Sequence, residues 1–186
     1  MHTEMYRIHE TVKDIKQEVT PEFIRAFEAE YNSKSYSSKF NYGRSALEFI
    51  LKKHGIAIQK NWQHDSIFHF AHWMKIDWKV INESTGNASI TSKDSRGNTT
   101  RNRDCTHYGF IKMKGNPFEV GSLLEFELVE LVEKDYVWNN PIKSFDTYFL
   151  YRPNRKKLAL KGFTFSEKNV IIDDKLMPVS VEDFMQ

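Results

Sequence analysis

Cysteine, glycine and long apolar runs are all scarce in this chain of 186 residues. Cys105 is the single cysteine, which excludes an internal disulfide and any zinc cluster built on several cysteines. No apolar run approaches the ~18–20 residues of a membrane-spanning helix, and no glycine-rich phosphate loop occurs. The segment from Met1 to Asp14 is polar and charged, without the apolar core of a signal peptide. These absences favour a cytoplasmic protein that is not secreted and has no membrane partner.

The composition is that of a globular protein. Hydrophobic residues make up 40% of the chain and charged residues 28%, which is close to the average for folded domains. The length is typical of one compact domain with a sizeable core. We therefore expect a single domain over residues 1–186.

Residues 1–55 have the pattern of a helical region. Thr20-Pro21-Glu22 predicts a helix start, with a capping hydroxyl, a proline at the first position and an early acid, and this helix should run to about Tyr31. Another helix is predicted after Asn41, ending at the basic Lys52-Lys53-His54-Gly55. Before these, apolar residues recur at helical spacing: Met5, Ile8, Val12, Ile15 and Val19.

Residues 56–186 are predicted to be mainly β, with a polar, basic loop at 82–104. Lys75 to Val80 alternates strictly between polar and apolar residues, as a strand does, and 66–74 is also interpreted as a strand. The fold expected is α+β or α/β, with N-terminal helices packed on a mixed sheet. Further strands are predicted at Ile56–Ile58, Ala88–Ser92, Phe110–Met113, Leu123–Val132 (which also fits a helix), Thr147–Tyr151, Leu158–Phe165 and Val170–Ile172, with a last helical turn at 178–184.

The formal net charge of +2 hides an uneven distribution. Residues 119–135 are strongly acidic, whereas two predicted turns, 93–103 and 152–161, are basic. A polyanion responds to such local clusters, because charges further apart than about 8 Å are screened at physiological salt. We therefore expect DNA contacts from Lys93, Arg96, Arg101, Arg103, Arg152, Arg155, Lys156 and Lys157.

A set of charged residues over 43–81 has the composition of a phosphodiester-hydrolysing site. Glu48 lies on a predicted helix, Asp65 at the start of a strand-like run, and Asp77-x-Lys79 in an alternating strand. Carboxylate oxygens are the ligands that Mg²⁺ or Mn²⁺ prefers, so Glu48, Asp65 and Asp77 are the predicted metal ligands. A lysine two residues along the strand from Asp77 lies on the same face, where it can stabilise a charge that develops during hydrolysis.

The same residues resemble the PD-(D/E)XK nuclease superfamily, which includes restriction endonucleases. In that superfamily a helix with a glutamate precedes a β-hairpin that holds a metal-binding aspartate and the (D/E)-x-K motif. By position, Glu48 matches the helical acid, Asp65 the first strand acid, Asp77 the second and Lys79 the lysine. The resemblance implies a restriction-endonuclease-like core and a Mg²⁺- or Mn²⁺-dependent DNA endonuclease of restriction or phage type. Self-association into a homodimer is left open.

Other interpretations remain at this point. Asp77 and Lys79 could form an exposed pair on an edge strand, with no catalytic role. His64, His69 and His72 could bind zinc with Asp65 or His107, if 66–74 were helical. The protein could also be a non-catalytic nucleic-acid- or protein-binding module, for example a phage-type structural or inhibitor protein.

Overall fold

The computed structural model describes residues 2–33, 42–59, 65–154, 158–160, 163–165, 169–172 and 175–178. Its helices are α1 (His2–Asp14), α2 (Pro21–Ser33), α3 (Tyr42–Lys53) and α4 (Lys134–Asn139). Its strands are β1 (Lys16–Glu18), β2 (Ala57–Gln59), β3 (Asp65–Phe68), β4 (Ile76–Val80), β5 (Ala88–Thr91), β6 (His107–Lys114), β7 (Leu123–Glu133), β8 (Lys143–Ser144), β9 (Tyr148–Tyr151), β10 (Leu158–Leu160), β11 (Phe163–Phe165), β12 (Asn169–Ile172) and β13 (Lys175–Pro178).

A six-stranded mixed sheet is the centre of the fold, with strand order β1-β7-β6-β4-β3-β2. All neighbours in it are antiparallel except β4 and β6, which are parallel and joined by a long crossover. Smaller antiparallel sheets are formed by β5-β9-β8 and by β10-β11-β12-β13. The prediction of an α+β protein with N-terminal helices on a mixed sheet is confirmed.

The two faces of the six-stranded sheet carry separate cores. On one face, helices α1 to α3 bury apolar side chains against alternate residues of β4 and β7, among them Trp78 and Leu128. On the opposite face, β5 and β9 pack with α4 on Tyr108, Phe110 and Val132. Because side chains alternate along a strand, one strand contributes to both cores.

Several local predictions are confirmed with specific contacts. Thr20 Oγ1 accepts a hydrogen bond from the Phe23 amide at 3.0 Å, which is the N-cap of α2. At the end of α3, Gly55 has φ +66° and the Ile56 amide donates to the Leu51 carbonyl at 2.9 Å, so the glycine ends the helix as expected.

Other local predictions are wrong or only partly right. The apolar stripe does not continue as a helix to Val19, since α1 ends at Asp14 and 16–18 pairs with β7 instead. The 66–74 segment is a strand only to Phe68, and residues 69–73 form turns. By contrast, the strand predicted at Leu123–Val132 is confirmed as β7, and the helix that the same residues also fit is not formed. Leu158–Phe165 contributes two antiparallel strands, and the helical turn expected after Pro178 lies outside the described residues.

None of the helices described has the length and apolar character that a membrane span requires.

Candidate functional site

The strand that carries Asp77 and Lys79 is an interior strand. It pairs with β3 on one side and β6 on the other, and Asp77 is only 8% exposed. The interpretation of Asp77 and Lys79 as an exposed pair on an edge strand is therefore wrong. A charged pair in the interior needs its own partners, because removing an ion from water is costly.

Alternation along β4 separates the charged residues from the core beneath the helices. Ile76 and Trp78 are fully buried on the helical face, and Trp78 Nε1 donates to Ser66 Oγ at 2.8 Å. The indole lies over Gly109, where an added Cβ would come within 2.4 Å of the ring. Trp78 thus fixes the strand between its neighbours and directs Asp77 and Lys79 to the other side.

Asp77 is the centre of a buried ionic network. Arg44 Nη2 of α3 lies 2.8 Å from Asp77 Oδ1, and Arg44 Nε lies 3.3 Å from Glu48 Oε1. Lys79 Nζ lies 3.3 Å from Asp77 Oδ2. Among the described side chains, two carboxylates and two cations therefore meet in one place.

Burial makes this network stronger than a surface ion pair. The side chains of Arg44, Glu48, Asp77 and Lys79 are between 5% and 17% exposed. Burial lowers the pKa of the Lys79 ammonium, and the neighbouring Asp77 carboxylate acts in the opposite direction. Arg44 cannot give up its charge in this way, so it is the permanent counter-ion of both acids.

The strands on either side of β4 bring further residues to Asp77. Asp65 of β3 and Tyr108 of β6 are its register partners. Lys79 Nζ lies 5.9 Å from the Tyr108 ring centroid, and Trp138 Nε1 donates to the Tyr108 hydroxyl at 3.0 Å. Burial raises the pKa of Tyr108, so its hydroxyl remains protonated at neutral pH.

The predicted site residues thus converge in part. Glu48, Asp77 and Lys79 belong to one network, and Asp65 lies opposite Asp77 along the backbone. The side chain of Asp65 lies outside the described part of the structure, so the metal site of Glu48, Asp65 and Asp77 stays a prediction. Among the side chains that are described, no three His, Cys, Asp or Glu are placed to hold a metal ion.

Sequence reasoning missed the role of Arg44. Its position four residues before Glu48 on a helix is the only local signal, and that spacing is common for exposed ion pairs. The contact with Asp77 comes from the packing of α3 beside β4, which local sequence does not encode.

The zinc alternative assumed a helix at 66–74, which the structure does not have. His69 and His72 lie in turns and are exposed, so they do not share a helical face. His107 is 4% exposed, and its Nδ1 lies 2.8 Å from Thr106 Oγ1. His64 lies outside the described residues.

The basic residues predicted to contact DNA differ in their surroundings. Lys93 pairs with Asp146 at 3.0 Å and Arg101 with Asp135 at 3.3 Å. Arg152 Nε donates to Asn87 Oδ1 at 3.0 Å, whereas Arg96 and Arg103 are exposed. Residues 155–157, which are Arg155, Lys156 and Lys157, lie outside the described ranges. Several of these charges are therefore partly neutralised by the protein itself.

Comparison with protein-family models, with curated proteins and with solved structures gives no significant match.

Proposed function

We propose that this protein is a metal-dependent endonuclease that hydrolyses phosphodiester bonds in DNA. The observation that carries the proposal is the convergence of charged residues on Asp77. Lys79 contacts Asp77 directly, Arg44 joins it to Glu48, and Asp65 lies opposite it in the β3–β4 register. These are the residue types that metal-assisted phosphodiester hydrolysis requires.

The order of elements supports the same proposal. Helix α3 with Glu48 precedes the antiparallel β3–β4 pair with Asp65 and Asp77, which is the order expected from the nuclease superfamily. One departure is the connection after Lys79. Residues 81–106 reach the parallel strand β6 through turns and β5, without the crossover helix usual in that superfamily.

Carboxylate oxygens are the ligands that a hard divalent cation prefers. Asp77 Oδ1 is buried and accepts no hydrogen bond from the described residues. Its contact with the Arg44 guanidinium is an ion pair. Glu48 and Asp77 would supply two carboxylate ligands, and Asp65 is proposed as the third. A bound Mg²⁺ or Mn²⁺ supplies Lewis acidity at the phosphoryl oxygen and lowers the pKa of a bound water.

Lys79 and Arg44 have separate proposed roles. The buried Lys79 ammonium stabilises negative charge that develops on the phosphoryl oxygens, because its field is weakly screened where little water enters. Arg44 keeps the mutually repelling Glu48 and Asp77 carboxylates in position before a cation enters.

The test separates chemistry from binding through Lys79. We expect Lys79→Ala to reduce cleavage of mixed plasmid and phage DNA in Mg²⁺ or Mn²⁺ by about 100-fold or more, with DNA affinity nearly unchanged, because a transition-state contact contributes mainly to rate. Lys75→Ala is the matched control, since Lys75 lies before the same strand and pairs with the exposed Asp104 at 2.7 Å. Wild-type protein that binds these substrates and cuts none would overturn the nuclease proposal.

Metal binding is tested independently of cleavage. A cation that binds only the folded protein raises its melting temperature. We expect such a rise with millimolar Mn²⁺ in the wild type, and its loss in Asp77→Asn, with titration calorimetry as the second measurement. An unchanged wild-type melting temperature without calorimetric heat would argue against the metal site.

A second candidate is a non-catalytic nucleic-acid-binding module. It is favoured by the charge balance among the described side chains, where Glu48 and Asp77 are paired with Arg44 and Lys79 without a bound cation. In that case Lys79→Ala would lower stability, and the wild type would bind DNA without cutting it.

A further inference from the structure

A groove crosses the end of the six-stranded sheet, beside the candidate site. It consists of two adjoining cavities of about 550 Å³ and about 470 Å³, which share Glu83 and Lys112 as lining residues. The first lies at the start of α3 and the end of β4, and the second lies toward the end of α1. The groove is therefore lined by residues of several helices and strands.

Four lysines from three elements line this groove. Lys13 comes from α1, Lys16 from β1, and Lys112 and Lys114 from β6. The strand register explains part of this grouping, because Lys16 and Lys114 both lie opposite Glu125 of β7. Long-range pairing thus assembles a basic cluster from residues that are far apart in the sequence.

These groove lysines differ from the basic residues of the 93–103 turn. Lys93 and Arg101 are bound to carboxylates, whereas none of the four groove lysines forms an ion pair with a described residue. An ammonium that forms no ion pair retains its solvent counter-ions. A chain of phosphates that replaces those counter-ions gains free energy from their release.

The groove also contains carboxylates, which limit its overall field. Glu83, Glu125 and Glu127 lie among the lysines. Binding must then depend on individual lysine–phosphate contacts more than on a diffuse positive potential. This arrangement fits a ligand whose negative charges are separated along a backbone.

The groove lies beside the network around Asp77. A Cβ on Gly43 would lie 3.2 Å from Val80 Cγ2, so the first turn of α3 is packed against the end of β4. Gly43 and Val80 line the groove, and their chain neighbours are Arg44 and Lys79. Arg44 and Lys79 are thus next in the chain to groove residues, while on β4 the side chains of Val80 and Lys79 lie on opposite faces of the sheet.

We propose that this groove binds the phosphate backbone of duplex DNA and leads it to Asp77 and Lys79. This inference rests on the proposed function, because it identifies where the substrate of that site lies. Lys112 and Lys114 are the principal contacts, since both line the groove and alternate onto the same face of β6 as Tyr108 and Phe110.

The experiment measures binding without cleavage. The affinity of a labelled DNA duplex is determined by fluorescence anisotropy in EDTA over a series of salt concentrations. At about 0.1 M salt we expect the double variant Lys112→Ala/Lys114→Ala to bind about tenfold more weakly. Its log–log salt slope should be smaller by about 1.8, because each phosphate contact contributes about 0.9.

The matched control is Arg25→Ala/Lys52→Ala, which also removes two positive charges, each from an ion pair with Glu22 or Glu30 away from the groove. We expect it to change affinity less than about twofold, and thermal melting should show both double variants folded. Wild-type affinity and slope in the Lys112/Lys114 variant would overturn the groove proposal, as would a wild type that does not bind duplex DNA. Cleavage in Mg²⁺ is assayed separately, so binding in the groove without cleavage would reject the nuclease and keep the groove.

Discussion

The two faces of the six-stranded sheet differ in what the same strands present. Toward α1 to α3, β4 places Ile76 and Trp78 in an apolar core. Toward β5 and β9, it places Asp77 and Lys79 near Tyr108. The second face also carries a buried carboxylate on β7. Glu130 there accepts hydrogen bonds from the Tyr151 hydroxyl and, at 3.1 Å, from the Asn154 backbone amide.

This difference shows how one strand can supply both stability and a reactive site. The helical face gains from the removal of apolar area from water. The opposite face carries buried ionisable groups, each of which requires a partner. Adjacent residues of β4 should therefore respond to substitution in different ways.

The largest effect is expected on the helical face. Trp78→Ala should lower the free energy of unfolding by about 3–5 kcal/mol, because it leaves a cavity against Gly109 and removes the partner of Ser66. Urea denaturation measures this loss. Trp73→Ala is the control, since Trp73 is 39% exposed and its removal leaves no sealed cavity. Equal losses for the two variants would contradict the assignment of Trp78 as the central core residue.

The next effect concerns the ionic network. Arg44→Ala should lower the free energy of unfolding by roughly 3 kcal/mol in EDTA, because Glu48 and Asp77 lose a shared counter-ion in a buried setting. Arg25→Ala removes an arginine from an exposed pair with Glu22 and should have an effect of less than about 1 kcal/mol.

Mn²⁺ makes the Arg44 variant informative about function. If Glu48 and Asp77 bind the cation, Mn²⁺ should raise the melting temperature of Arg44→Ala more than that of the wild type, because no guanidinium competes for the carboxylates. If the network is purely structural, Mn²⁺ should raise the melting temperature of neither protein.

His107 is an ionisable residue on the face of β6 that is directed toward the helices. Burial lowers its pKa to about 4 from the ordinary 6.5, so the unfolded chain binds the proton more readily than the folded one. Stability is then complete above about pH 6.5 and is lost as the pH falls toward 4. We expect a loss of ~2 kcal/mol by pH 5, measured by urea denaturation.

His107→Gln should remove this part of the pH dependence, although some will remain. His9 also has its pKa lowered to about 4, by burial and by the nearby Lys13. The control is His72→Gln, which makes the same substitution at an exposed turn position. A His107 variant with the full wild-type pH dependence would show that this histidine is not the titrating group.

The smallest effect is expected within the helical layer itself. Thr20→Ala removes the side-chain acceptor of the Phe23 amide and should cost about 1 kcal/mol. Thr11→Ala is a matched control, because Thr11 donates to the Arg7 carbonyl inside α1 and caps no free amide. Similar losses for both variants would mean that the cap of α2 has no specific contribution.

The local features of the fold could be predicted from sequence because their causes are local. The alternation of β4, the cap at Thr20 and the stop at Gly55 each depend on a few neighbouring residues. The end of α1 could not be predicted in this way. Lys16 and Glu18 pair with β7, more than a hundred residues later, and that pairing overrides the helical spacing of Ile15 and Val19.

The candidate site was predictable only as a set of residue types. Asp77 and Lys79 share a face because of strand periodicity, which sequence reveals. Their burial depends on the pairing of β4 with both β3 and β6, and the link through Arg44 depends on how α3 packs. The groove lysines were not predicted for the same reason. Lys16 and Lys114 are brought close together because β1 and β6 both pair with β7.

The parallel pairing of β4 with β6 also has a consequence for the order of folding. β6 and β7 follow each other along the chain and can form their hairpin early, whereas β4 must close the long crossover before it meets β6. Contacts across such distances form slowly, because the loop-closure entropy is lost before the strands pair. During synthesis, Asp77 and Lys79 therefore leave the ribosome well before Tyr108 and remain exposed to solvent until the centre of the sheet closes around them.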